Sequence, residues 1–158
     1  DKSLENFFYI ELILKIFPNA KFINCERNLV DSIFAIYGNF FDKMSWTHSL
    51  ANILKYIDQY LIAIDHFKKK YSDKIFSIQL ENLTENSLVV SKKLFHFCDL
   101  EWNKSSLEFY KRKDLISKTA SNIQIRKEIY KYDSHKYKIY KEFLKDHRNE
   151  YSWLQKIL

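Results

Sequence analysis

The chain has 158 residues, a net charge of +6, and only one glycine (Gly38) and one proline (Pro18), where average usage would give roughly ten and eight. At 46% hydrophobic and 29% charged it has the composition of a folded chain, long enough for one domain with a substantial core. No apolar stretch approaches transmembrane length, no spacing of Cys and His fits a metal finger, and the basic residues are scattered rather than gathered into a nucleic-acid-binding block.

The positive charge suits an anionic ligand, and a solvated lysine-rich surface accounts for most of it. Cys25 and Cys98 sit among apolar residues without a CxxC partner, so both are expected as reduced core residues of a cytosolic protein. No signal peptide opens the chain, which fits the same cytoplasmic expectation.

In chain order, Ser3 caps a first helix made largely buried by Phe7, Ile10, Leu12, Leu14 and Phe17, which stops before Pro18-Asn19. Phe22-Ile23-Asn24-Cys25 is too short for a helix and is expected as a buried strand. Glu26, Arg27 and Asn28 follow, and apolar residues then return at helical spacing: Ile33, Ile36, Tyr37 and Phe40. Asn28 suits the N-cap of that helix and Asp31 its first turn. Arg27 is thus expected between a strand end and a helix start, where open α/β sheets bind ligands and helix N-termini favour anions. A guanidinium there can grip a phosphate in fork geometry; the alternative is an arginine paired with Glu26 or Asp31.

Thr47 to Lys70 reads as one long helix with a core stripe of Leu50, Ile53, Leu54, Ile57, Leu61, Ile64 and Phe67. His48 and His66 are too far apart, and lack an acidic third ligand, for a metal site. Lys74 to Leu80 is a second strand. A helix capped by Thr84 or Asn86 runs to about Cys98, and Leu107 to Arg112 forms a short one. The polar stretch from Lys113 to Ser134 has little periodicity, which within a domain points to a functional or disordered loop. Tyr137, Tyr140, Phe143, Leu144, Tyr151, Trp153 and Leu154 close the chain as amphipathic helices.

The block from Phe17 to Tyr37, FPNAKFINCERNLVDSIFAIY, resembles the sulfotransferase family, in particular bacterial sulfotransferases associated with tetratricopeptide repeats and, more distantly, tyrosylprotein sulfotransferases. Asp1-Lys2 with Asn6-Phe7, the Phe97–Trp102 block, and the loop pieces Thr119-Ala120-Ser121, Gln124-Ile125-Arg126 and Ile129-Tyr130 match the same family in the same order. The resemblance implies a P-loop-like, three-layer α/β fold with a parallel sheet flanked by helices. It also implies that Asp1 falls inside the domain, with the first strand and the glycine-rich phosphate loop upstream, so that residues 1–158 are the C-terminal portion of a single domain.

The function implied is transfer of a sulfuryl group from 3′-phosphoadenosine 5′-phosphosulfate to a hydroxyl or amine acceptor. The acceptor is left open among a protein tyrosine, a glycan and a small alcohol, and no metal or nucleic acid is involved. Lys2 matches the lysine beside the transferring group and Arg27 the arginine that binds the 3′-phosphate. Ser32, one turn before Ala35, is either an ordinary first-turn serine or a substitute hydroxyl for Ala35, which stands where the family has its phosphate-binding serine. Ser121, Arg126 and Lys136 are further candidates for donor contact, with Ser134 matching a neighbouring serine. Leu4, Glu26, Leu29, Leu80 and Glu128 also depart from the family pattern. Ala35, Leu80 and Glu26 keep open a non-catalytic interaction module of the same fold, and a basic helical nucleic-acid binder is the remoter alternative.

Overall fold

The computed structural model describes residues 2–39, 41–112, 114, 124–133 and 136–158. The fold is α/β, and among the described residues two strands, β1 (Phe22–Glu26) and β2 (Ile75–Gln79), pair in a small sheet. They run parallel, and the residues between them form the crossover that parallel neighbours require. The chain divides into two compact units: Asp1–Phe22 with Arg27–Ile75 and Ser134–Leu158, and Ile23–Glu26 with Phe76–Asp133.

The first unit opens with a 3-10 helix, Leu4–Tyr9, capped by the Ser3 hydroxyl, which accepts from the Glu5 amide. It runs directly into α1 (Ile10–Ile16). The segment is not largely buried as expected. Phe7 and Ile10 are buried, whereas Leu12, Ile16 and Phe17 are more than half exposed, so only one narrow face meets the core.

Helix α2 (Leu29–Gly38) begins after Asn28, whose backbone is not yet helical and whose side chain accepts from the Asp31 amide at 3.3 Å. The expected long helix is split at Ser49: a 3-10 turn, Ser45–His48, precedes α3 (Leu50–Lys70). Ser49 caps α3 through the Asn52 amide, and Lys68, Lys69 and Lys70 fill its last turn, the favourable end for cations. The α3 stripe is core as expected. Ile53 and Leu54 are fully buried with Val30, Ile33 and Phe34 of α2, and with Leu144 and Leu154 of the C-terminal segment. Removing a buried side chain of this kind costs about 2–5 kcal/mol. A second cluster joins Phe7 and Ile10 to Ile64 and Ile75.

The closing segment is a 3-10 helix, Lys138–His147, rather than an α-helix, followed by α6 (Ser152–Ile157). Three residues per turn set Tyr137, Tyr140 and Phe143 in a row, with ring centroids 6.2 and 6.3 Å apart, and Tyr140 also meets Phe34 at 5.3 Å. Lys141 Nζ donates to the Ile157 carbonyl, and Trp153 Nε1 donates to Asp58 of α3.

In the second unit, α5 (Ser87–Phe97) is the expected helix, with Asn86 at its N-cap, and a short unexpected helix, α4 (Leu80–Glu85), precedes it. Phe76 of β2 stacks on Phe97 of α5 at 5.2 Å. Helix α5 ends in a Schellman arrangement: the Leu100 amide donates to the Phe95 carbonyl and the Asp99 amide to that of His96. Asp99 has φ 55°, the left-handed conformation that this ending needs. Trp102 then packs the corner, with Nε1 donating to Ser91 Oγ at 2.9 Å. The expected helix at Leu107 to Arg112 is two short 3-10 turns, Lys104–Leu107 and Phe109–Lys111.

The expectation of a buried β1 is corrected. Its residues alternate between half-buried and exposed, and Ile23 is 43% exposed. The cysteines are corrected with it: Cys25 is exposed, Cys98 is half-buried, and both are free thiols. A short, mainly apolar run names a strand but not which of its faces are covered.

Candidate functional site

Arg27 directly follows β1 and lies two residues before α2. Its guanidinium folds back over the first turn of that helix. Nε donates to Ser32 Oγ at 3.1 Å, and Nη2 donates to the Asp31 carbonyl at 3.1 Å. Ser32 Oγ in turn donates to the Asn28 carbonyl at 3.1 Å. Residues 27–32 therefore form a closed ring of contacts: Arg27 to Ser32, Ser32 to Asn28, Asn28 to the Asp31 amide, and the Asp31 carbonyl back to Arg27.

Of the two carboxylates weighed as partners for Arg27, neither supplies these bonds. Asp31 contributes its backbone carbonyl, and its side chain is buried. Two of the five guanidinium N–H groups hold the side chain in place, at the end of the helix where anions are favoured. Ser32, a candidate substitute hydroxyl for the phosphate, holds Arg27 and the Asn28 carbonyl through its Oγ.

Lys2 is exposed and lies two residues before the opening 3-10 helix, which Phe7 anchors against α3. Lys136 is exposed, its ammonium 5.1 Å from the Tyr137 ring centroid. Tyr137 stacks on Phe34 of α2 at 6.4 Å, so the structure draws the Lys136 segment to the same helix that holds Ser32. Arg126 belongs to the other unit, where it is exposed and donates from Nη1 to the Arg112 carbonyl at 2.6 Å. Ser121, with Thr119, Ala120 and Ser134, lies outside the described residues.

A cleft of about 450 Å³ is lined by Glu11, Leu14, Lys15, Lys70 and Tyr71 and holds none of these candidates. Lys70 holds the Glu11 carboxylate below the usual carboxylate range by hydrogen bonding to it, with Tyr71 assisting. Among the described residues no group of His, Cys, Asp and Glu is placed to hold a metal ion, and no helix is long and apolar enough to cross a membrane.

Residues 1–104 match the sequence model of the sulfotransferase family. The chain belongs to the sulfotransferase family. It is also 36% identical over 148 residues, 91% of its length, to an uncharacterized protein of Aquifex aeolicus (strain VF5), of which the match spans 19%. The sulfotransferase match covers Lys2, Arg27, Ser32 and Ala35, whereas Ser121, Arg126 and Lys136 lie beyond it.

Two departures from the sulfotransferase pattern now have a structural setting. Glu26 Oε1 accepts from Asn24 Nδ2 at 2.6 Å and from Ser77 Oγ at 3.0 Å, so this carboxylate is engaged across the two strands. Leu80 opens α4 and is half-buried. Sequence reasoning did not bring together Tyr56 and Trp46, whose rings stack 4.0 Å apart. Their separation of ten positions carries no local signal.

Proposed function

We propose that the chain serves sulfuryl transfer from 3′-phosphoadenosine 5′-phosphosulfate to a hydroxyl or amine acceptor, as the C-terminal portion of one sulfotransferase domain in a cytoplasmic protein. The observation that carries this reading is the Arg27 arrangement, a guanidinium held by its own helix turn at a helix N-terminus. Such a fork suits the 3′-phosphate, and its fixed side chain loses little freedom on binding.

In the reaction the S–O bond to the donor phosphate breaks, a new bond forms from sulfur to the acceptor (S–O with a hydroxyl, S–N with an amine), and the acceptor loses its proton to a base. 3′-Phosphoadenosine 5′-phosphate leaves. Negative charge grows on the bridging oxygen, and in this reading the Lys2 ammonium neutralises it. Lys136, Arg126 and Ser121 are further donor contacts, and the acceptor is a protein tyrosine, a glycan or a small alcohol.

A second reading, a non-catalytic module of the same fold, is favoured by Glu26, which is tied to Asn24 and Ser77 where the family often has an arginine. Calorimetry of 3′-phosphoadenosine 5′-phosphate with the native gene product separates the two. Binding that Arg27→Ala weakens by about 2–5 kcal/mol is the expected result, since truncation removes a charge-assisted contact. Unchanged affinity in that variant removes Arg27 from the site, and no binding by the wild type favours the second reading.

A further inference from the structure

Lys2 stands at the mouth of a segment that cannot hold its own shape. The 3-10 helix Leu4–Tyr9 is six residues long, and its opening bonds are long: Asn6 N to the Ser3 carbonyl is 3.4 Å and Glu5 N to Ser3 Oγ is 3.5 Å. Helices this short do not persist in water by themselves. Helix α3 supplies what the segment lacks.

Phe7, buried, meets Tyr56 edge-on at 5.8 Å and Tyr60 edge-on at 5.3 Å, two rings one helical turn apart on α3. Phe8 also meets Tyr56 edge-on, at 6.2 Å. The Tyr56 hydroxyl reaches the Leu4 carbonyl at 3.5 Å. Trp46 lies flat on the Tyr56 ring, 4.0 Å away and inclined by 12°, which fixes the direction in which that hydroxyl points. Burial, and then the Glu5 carboxylate, push the Tyr56 phenol up from its ordinary value, so it keeps its proton and stays a donor through neutral pH.

We propose that Tyr56, backed by Trp46, is a positioning residue for Lys2: it fastens the turn that follows the lysine and so sets where the ammonium stands. The proposal rests on the catalytic reading of Lys2. An ammonium that neutralises a transient charge must be in place beforehand, and a small misplacement lowers the rate without touching donor affinity.

The test is a double-mutant cycle on the native gene product with Lys2→Ala and Tyr56→Phe, the latter keeping the ring and removing only the hydroxyl. Three quantities are read: turnover of 3′-phosphoadenosine 5′-phosphosulfate with 4-nitrophenol or water as acceptor, affinity for 3′-phosphoadenosine 5′-phosphate, and amide hydrogen exchange of residues 4–9. Tyr56→Phe is expected to lower turnover about twofold, the low end for one neutral hydrogen bond, because the contact is long at 3.5 Å and exposed. Affinity should hold, exchange in residues 4–9 should speed up, and the Lys2→Ala background should show no further loss of turnover. Trp46→Leu should give the same signature.

Equal losses from Tyr56→Phe in both backgrounds would overturn this proposal alone. So would unchanged turnover with unchanged exchange. Full turnover in Lys2→Ala would overturn the catalytic reading of Lys2 and this proposal with it.

Discussion

Arg27 and Ser32 hold each other across the first turn of α2, with guanidinium Nε donating to the serine hydroxyl at 3.1 Å. The hydroxyl passes the contact on to the Asn28 carbonyl, so it is an acceptor and a donor at once. Ser32→Ala removes the acceptor that fixes the plane of the guanidinium while leaving the charge in place. Affinity for 3′-phosphoadenosine 5′-phosphate should fall about two- to tenfold, the range of one neutral hydrogen bond, and affinity for the nucleotide without its 3′-phosphate should not change. Calorimetry with both ligands checks this; equal losses would mean that Ser32 supports the helix rather than the arginine.

Arg27→Lys should behave like a loss rather than a conservative change. A lysine offers a point charge on a flexible stem and cannot reproduce two bonds in fixed directions to Ser32 Oγ and the Asp31 carbonyl. We expect its affinity for 3′-phosphoadenosine 5′-phosphate to fall about tenfold or more. Near wild-type binding by the lysine variant would show that charge alone matters at this position.

Asp99 takes φ 55° where α5 ends, a conformation glycine adopts freely and other residues adopt at a cost. Aspartate is one of the few side chains that visit it. Asp99→Val should therefore destabilise the protein by about 1–2 kcal/mol, whereas Asp99→Gly should be neutral or stabilising by up to about 1 kcal/mol. Thermal or urea unfolding of the two variants decides it, and a valine variant as stable as wild type would contradict the account.

How much of this was legible in the sequence depended on whether the signal was local. The α3 stripe was readable because its apolar spacing is strict and long, and the four fully or nearly fully buried positions Ile53, Leu54, Ile57 and Ile64 fall on it. The Asn28 cap was readable because capping is a contact within three residues. The corner at Trp102 was readable as a packing site, though not its partner Ser91.

The exposure of β1 was not legible, because a run as short as Phe22-Ile23-Asn24-Cys25, with apolar residues pointing to both faces, does not say which face is covered. The 3-10 winding of Lys138–His147 was not legible either, since a spacing of three between Tyr137, Tyr140 and Phe143 fits both helix types. At the site, Arg27 could be placed at the junction, but its partners could not be read. A backbone carbonyl leaves no mark in composition, and the serine looked like a ligand in its own right.

Ala35 is the departure most open to repair. It lies on α2 three residues after Ser32, half-buried, and its carbonyl accepts from Asn39 Nδ2 at 2.6 Å. The structure engages Ser32 with Arg27 and Asn28, so the substitute hydroxyl expected from the sequence already has work on the protein. A second hydroxyl at position 35 would add a donor without disturbing that ring. Serine costs a few tenths of a kcal/mol in helix propensity relative to alanine, roughly 0.5, while a hydrogen bond to a charged phosphate contributes about 1.5–3 kcal/mol. The second effect is the larger. Ala35→Ser in the native gene product should therefore tighten 3′-phosphoadenosine 5′-phosphate by about tenfold or more and leave a ligand without the 3′-phosphate nearly unchanged. Equal effects on the two ligands would show that position 35 does not face the phosphate.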